Sequence, residues 1–323
     1  MSVLIRVEDE PPRSRLDYFR HAVADTFVPF DLQVEAGHDL RAQILTGQVG
    51  TAHVTKVSAP PLKAFRTARL IRVSDPGLFK LEVPVRGRTV FTQGEREAAL
   101  DPGDSTLLDL SRPCQLVDRG EAHGNVAVKF PHAALPLRHD ELAQLTAVPI
   151  SGRGGLGAAI SALARHMARH LDDHERTEGA RLAAALIDLL VVALAERLNR
   201  SATVAPATRR RALLASVQAF IDQRLADPAL APNAIAAAHH VSLRYLYKLF
   251  ETQQTSVAGW IRERRLERCR RDLADPALAD WSVAAIARRW GLTDPAHFSR
   301  AFRGAYGISP TACRRAAGTA DSR

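Results

Sequence analysis

The chain has 323 residues, enough for two domains, and 46% of them are hydrophobic, which favours a packed core over disorder. Its three cysteines, Cys114, Cys269 and Cys313, are odd in number and far apart; that excludes a disulfide framework or a cysteine metal cluster and implies a reducing compartment. Residues 206–323 hold 19 Lys and Arg against 10 Asp and Glu, so the whole excess of nine positive charges lies there, while residues 1–205 balance at 25 of each sign.

A neutral body with a basic end implies either a polyanionic partner for that end or a solvated basic surface. The N-terminus lacks a signal-peptide core. The longest apolar run, Leu182 to Ala195, contains Asp188 and is too short to span a bilayer. A soluble, cytoplasmic protein is expected.

The first predicted element is a helix in "LDYFRHAVADTFVPF", from Leu16. From about Asp31 to Phe130 short strands are predicted instead. In "FKLEVPVRG", Phe79, Leu81, Val83 and Val85 fall on one side and Lys80, Glu82 and Pro84 on the other. "QVGTAHVTKV", "ARLIRV", "RTVFTQ", "TLLDL" and "NVAVKF" are further strand candidates. Turn signals separate them at Asp75-Pro76-Gly77, Gln93-Gly94, Asp101-Pro102-Gly103-Asp104 and Arg119-Gly120. Short strands without interleaved helices point to an antiparallel barrel or sandwich.

"SGRGG", from Ser151 to Gly155, closes this region, and two long helices follow. The first carries a stripe of Leu156, Ile160, Leu163, Met167 and Leu171. The second, "EGARLAAALIDLLVVALAERLN", is apolar over more of its circumference and needs a cover: the barrel, the neighbouring helix or, as favoured here, a second copy in a homodimer. "RSATVAPATRRR" then reads as a linker.

The remainder is helical. "RALLASVQAFIDQRL" is stopped by Asp227-Pro228. "AIAAAHHVSLRYLYKLFE", from Ala234, and "AIARRWGLTDPAHFSRAFR", from Ala285, then align as a repeat: Ile235 with Ile286, Val241 with Leu292, Leu246 with Phe298, Lys248 with Arg300 and Phe250 with Phe302. Each is a short helix, a tight turn and a second helix, the grammar of a helix-turn-helix. Ser242 is placed to cap the second helix of unit one. In unit two Gly291 suits a left-handed turn, Asp294 a cap and Pro295 the first helical position; Tyr306-Gly307 ends that helix. Between the units, "TSVAGWIRERRLERCRRDL" reads as one helix, on the order of 27 Å long, burying Val257, Trp260, Ile261, Leu266, Cys269 and Leu273. Two units on such a rod are spaced for successive major grooves, about 34 Å apart.

Residues Ala207 to Ala317 resemble the DNA-binding domain of the AraC/XylS transcriptional regulators. The match rests on "AIARRWGLTDPAHFSRAFRGAYGISPTACRR", with "VSLRYLYKLF" and "RRLERCRRDL" resembling the first recognition helix and the linker helix. The first 200 residues resemble the cupin-like sensor of one branch of that family through "VRGRTVFTQGEREAALDPGDSTLLDLSRPCQL". There are departures. Leu292 and Cys313 stand where the family usually has aromatics, and Ala231 where a capping side chain commonly precedes a proline. Pro295 and Ala296 stand where polar base-reading groups are frequent. Neither hydrogen-bonds a base edge, so unit two is expected to read phosphates or a thymine methyl.

The expected architecture is α+β: an antiparallel cupin-like β-barrel over residues 1–150, a helical pair at 151–200, a linker at 201–206, an all-α double helix-turn-helix domain at 207–317 and a tail at 318–323. The expected function is sequence-specific DNA-binding regulation of transcription, activating or repressing, governed by a small-molecule effector in the first domain. The DNA-contacting set is Ser242, Arg244, Tyr247 and Lys248 in unit one and Pro295, Ala296, His297, Ser299, Arg300 and Arg303 in unit two. Double-stranded DNA, a small effector and a second copy are the expected partners, with RNA polymerase a further candidate.

The rival class is a cupin-like metal-dependent enzyme fused to a nucleic-acid-binding domain. His38, His53 and His123 lie in the barrel region, but no close His pair with a neighbouring carboxylate occurs there. Neither metal, cofactor nor catalytic residue is assigned. His239 and His240 read as structural or solvent-facing, and Cys114 as a buried structural thiol.

Overall fold

The computed structural model describes residues 2–34, 40–171, 176–199 and 204–320. His38 and residues 201–203 of the expected linker lie outside the described residues. The chain divides into two compact units, Met1–Ser216 and Val217–Arg323.

The first unit starts with strand β1 (Val3–Arg6) and helix α1 (Arg15–Thr26), then β2 (Asp31–Val34), β3 (Gln43–Val49), β4 (Ala52–Ala59) and β5 (Leu62–Arg66). Helix α2 (Ala68–Val73) leads into β6 (Leu78–Gln93), β7 (Arg96–Leu100), β8 (Thr106–Asp109) and β9 (Cys114–Pro131). Among the described residues these nine strands form one antiparallel sheet, ordered β1-β3-β4-β9-β5-β2, with β6 pairing β7, β8 and β9.

The two long strands curl the sheet. β6 and β9 pair from Leu78 opposite Pro131 to Gln93 opposite Cys114. The first part of β9 also pairs with β5 and its later part with β4, so one strand serves two walls. The register shifts between Pro84, Arg86 and Arg88, while the partner strand advances from Asn125 to Arg119. Pro84 has no N–H to give the ladder, and irregularities of this kind increase bend and twist. The result is the expected cupin-like antiparallel architecture.

Four local expectations are corrected. "ARLIRV" is α2, not a strand: Thr67 Oγ1 accepts from the N–H of Leu70 and starts a helical turn. "FKLEVPVRG" and "RTVFTQ" are one strand, and Arg119-Gly120 lies inside β9 rather than at a turn. "QVGTAHVTKV" is two strands joined at Gly50, where φ is +60° and a Cβ would meet the Ala180 backbone at 2.7 Å; any side chain there is both strained and obstructed.

Helices α3 (His139–Leu145), α4 (Gly155–Arg169), α5 (Arg176–Arg197) and α6 (Pro206–Gln223) follow. α3 has no counterpart among the expected elements. α4 packs on β4, β6 and β9, and α5 on α4 and β3. Residues 79–84 of β6 are therefore buried on both faces, and Lys80 and Glu82 are inside, not on the solvent side that alternation implied. Every residue from Leu189 to Ala195 in α5 is buried within the single chain, so this stretch needs no second copy to cover it. Asp188, which interrupts the apolar run, is held by Arg211 of α6 through contacts of 2.5 and 3.0 Å.

The second unit contains α7 (Pro232–Ala238), α8 (Leu243–Glu251), α9 (Val257–Ala274), α10 (Val283–Arg289), α11 (Pro295–Tyr306) and α12 (Pro310–Ala320). α7–α8 and α10–α11 are the two expected helix-turn-helix pairs and α9 the helix between them. Among the described residues no helix is long and apolar enough to cross a membrane.

Candidate nucleic-acid interface and barrel cavity

On α8 the buried side chains are Leu246, Leu249 and Phe250, one stripe at helical spacing. Ser242 Oγ accepts from the N–H of Tyr245 at 3.2 Å and closes the helix start. Ser242, Arg244, Tyr247 and Lys248 are all exposed. So is Tyr245, which is not among the expected contacts. The signal was available: a cap at Ser242 places residue 245 in the first helical turn, the part of such a helix that meets base edges.

On α11, Phe298 and Phe302 are buried with rings 5.6 Å apart, edge to face. They pack with Leu266, Cys269 and Leu273 of α9 and with Ile286 of α10. Asp294 caps the helix, accepting from the N–H groups of Ala296 at 2.8 Å and His297 at 3.0 Å. The bond from His297, helped by that from Ala296, holds its carboxyl below the usual range. Pro295, Ala296, His297, Ser299, Arg300 and Arg303 are all exposed. Gly307, at φ 73°, ends the helix in the left-handed conformation.

Arg265 of α9 is buried, with only 9% of it exposed. It lies four residues from both Ile261 and Cys269, so it falls on the buried stripe. Its guanidinium donates to the carbonyls of Leu225 at 3.0 Å, Asp227 at 2.5 Å and Gly291 at 3.3 Å. One side chain thereby ties the end of the α6 segment to the turn of the second helix-turn-helix. Gly291 sits at φ +73°, and a Cβ there would stand 2.8 Å from the guanidinium. The glycine is required by the turn and by the arginine together.

The remaining titratable candidates divide by environment. Across the β4–β9 ladder His53 pairs with Lys129 and His123 with Ala59, six positions apart along β4, roughly 20 Å. His53 contacts Thr46 Oγ1 at 2.7 Å and His123 contacts Asp118 at 2.9 Å. Among the described residues no cluster of three His, Cys, Asp or Glu side chains could hold a metal. His239 packs edge-on to Phe220 at 5.2 Å, and burial lowers its pKa. Burial pushes the Cys114 and Cys269 thiols up to about 12, the reverse of what a reactive thiolate needs.

Inside the curled sheet lies a cavity of about 50 Å³. Its walls are mainly apolar, Phe19, Phe27 and Leu116 among them, with Lys80, Glu82, Gln115, His123 and Asn125 as polar exceptions. Lys80 Nζ is ion-paired to Glu82 and stands 4.3 Å from the Phe27 ring centroid. Lys129, opposite Lys80 in the ladder, donates to the carbonyls of Thr26 and Phe27. Burial, and then the Lys80 charge, lower its pKa to about 8.

Two family models match this chain: an AraC-binding-like domain over residues 19–195 and a helix-turn-helix domain over residues 235–316. The transcriptional activator NphR of Rhodococcus sp is 31% identical over 270 residues, covering 82% of this chain and 78% of that protein. An uncharacterized protein in the nit 5' region of Bacillus sp. (strain OxB-1) is 28% identical over 258 residues, covering 76% of this chain and 96% of the relative. The crystal structure of the AraC-like transcriptional activator CuxR superposes with a TM-score of 0.53 at 19% identity, over 91% of this chain and 100% of that one, a likeness of fold.

Proposed function

The chain belongs to the AraC/XylS family of helix-turn-helix DNA-binding transcriptional regulators, and on that premise we propose how it divides the work of binding DNA. Unit one reads bases through α8 with Ser242, Arg244 and Tyr247, joined by Tyr245, while Lys248 meets a phosphate. Unit two supplies affinity through α11, where Pro295 and Ala296 offer no hydrogen bond and His297, Ser299, Arg300 and Arg303 face the backbone phosphates. The observation that carries this reading is that all ten expected side chains are exposed, opposite the buried stripes of their helices.

Arg300→Ala tests the division. Loss of one phosphate contact lowers the slope of log K against log salt by about 1. It weakens matched and mutated second half-sites by similar factors, as read by gel shift on an operator selected from random DNA. A loss confined to one base pair with the slope unchanged removes the proposed role of Arg300.

The first unit acts as the sensor of a small-molecule effector taken into the barrel cavity, in a cytoplasmic protein that contacts DNA as a homodimer. RNA polymerase is the proposed downstream partner. In the helical pair, Leu182, Ala185 and Ile187 of α5 stay half-exposed and are the residues open to a second copy. Sedimentation of the full chain at tens of micromolar is expected to give a dimer; a monomer at that concentration rejects this part of the reading.

A further inference from the structure

We propose that the barrel cavity takes a small, uncharged, largely apolar molecule carrying one hydroxyl or amide donor, which it gives to Asn125 Oδ1. The inference rests on the effector reading above and narrows it to a chemical class.

The charges in the cavity are already matched. Lys80 is paired with Glu82 on the cavity wall. A charged ligand would have to break that pair or enter an apolar space without a counter-charge.

What remains unmatched is an acceptor. Asn125 Nδ2 donates to Glu82 Oε2. A carboxylate only accepts, so the amide must turn its nitrogen towards Glu82, which fixes its orientation. Asn125 is 3% exposed, and among the described residues no donor reaches its Oδ1. A ligand O–H or N–H complements this oxygen, whereas a ketone or a carboxylate adds acceptor to acceptor.

Size narrows the class further. The cavity, about 50 Å³, is roughly a third of an apolar cavity that holds benzene. A short chain or a small ring is the largest body it takes without the walls moving.

The test uses the full chain and four probes of one branched, four-heavy-atom shape: 2-propanol, acetone, acetate and isopropylamine. Binding is measured by isothermal titration and by the dose-dependent rise in Tm. 2-Propanol is expected to bind at least roughly tenfold more tightly than the other three, the size of one hydrogen bond to a buried group. In Asn125→Leu, which keeps the side chain's shape and whose folding is checked by its unliganded Tm, that preference falls to within about twofold. Tighter binding of the ketone, the acid or the amine overturns the donor assignment, as does an unchanged preference in Asn125→Leu. Failure of all four probes to bind overturns it too. The effector reading is judged separately with Ala64→Phe, which fills the cavity. If transcription from the operator promoter is unaffected by that variant, the cavity does not regulate.

Discussion

Replacing Arg265 by alanine is expected to cost the C-terminal unit roughly 3 kcal/mol and to abolish DNA binding by the second helix-turn-helix. Three backbone carbonyls, of Leu225, Asp227 and Gly291, share this one guanidinium. Hydrogen bonds to a charged group contribute about 1.5–3 kcal/mol each. Burial of the guanidinium, which lowers its pKa, and entry of water into the space left behind offset part of that. Gly291→Ala should act through the same clamp. It places a side chain in the left-handed region, at a cost of about 1 kcal/mol, and pushes its Cβ against the arginine. Urea unfolding of the full chain, with gel shifts on the same samples, checks both variants. An unfolding midpoint unchanged in Arg265→Ala would show that the carbonyl clamp contributes nothing.

Arg244→Ala is expected to cost roughly 1–3 kcal/mol of operator affinity, about 5- to 150-fold in Kd, with discrimination relaxed at a single base pair. Arg244 is the second residue of α8, exposed beside the cap at Ser242, where a fork of donors can meet both acceptors of a guanine edge. Lys248 lies one turn on and presents a point charge instead, so its alanine variant should lose affinity across all sequences alike. Quantitative gel shifts on the operator and its single-base variants separate the two. Unchanged affinity in both variants would remove this face of α8 from the interface.

The helix-turn-helix units were legible because their signals are local. Ser242, Asp294 and Gly307 act on backbone groups within four residues of themselves. The Leu246–Phe250 and Phe298–Phe302 spacings define one face of one helix whatever surrounds it. The barrel was legible only in outline. Thr67 made "ARLIRV" a helix through one cap that the run of Leu70, Ile71 and Val73 concealed. Where β6 continues past Val85, the continuation depends on β9 pairing alongside it, and no residue near position 85 carries that information.

The sequence by itself determined the repeat, the caps, the basic end and the membership that follows from them. Each depends on residue type and short spacing alone. Tertiary structure decided which charged and polar groups lie inside. Arg265 has partners 26, 38 and 40 positions away, and Asn125 meets Glu82 across 43. Periodicity placed Lys80 and Glu82 on a polar side of their strand, and the fold put a cavity there. A buried charge is tolerated only where distant chain supplies its counterpart. Its location is therefore a property of the assembled core, which no local window of the sequence contains.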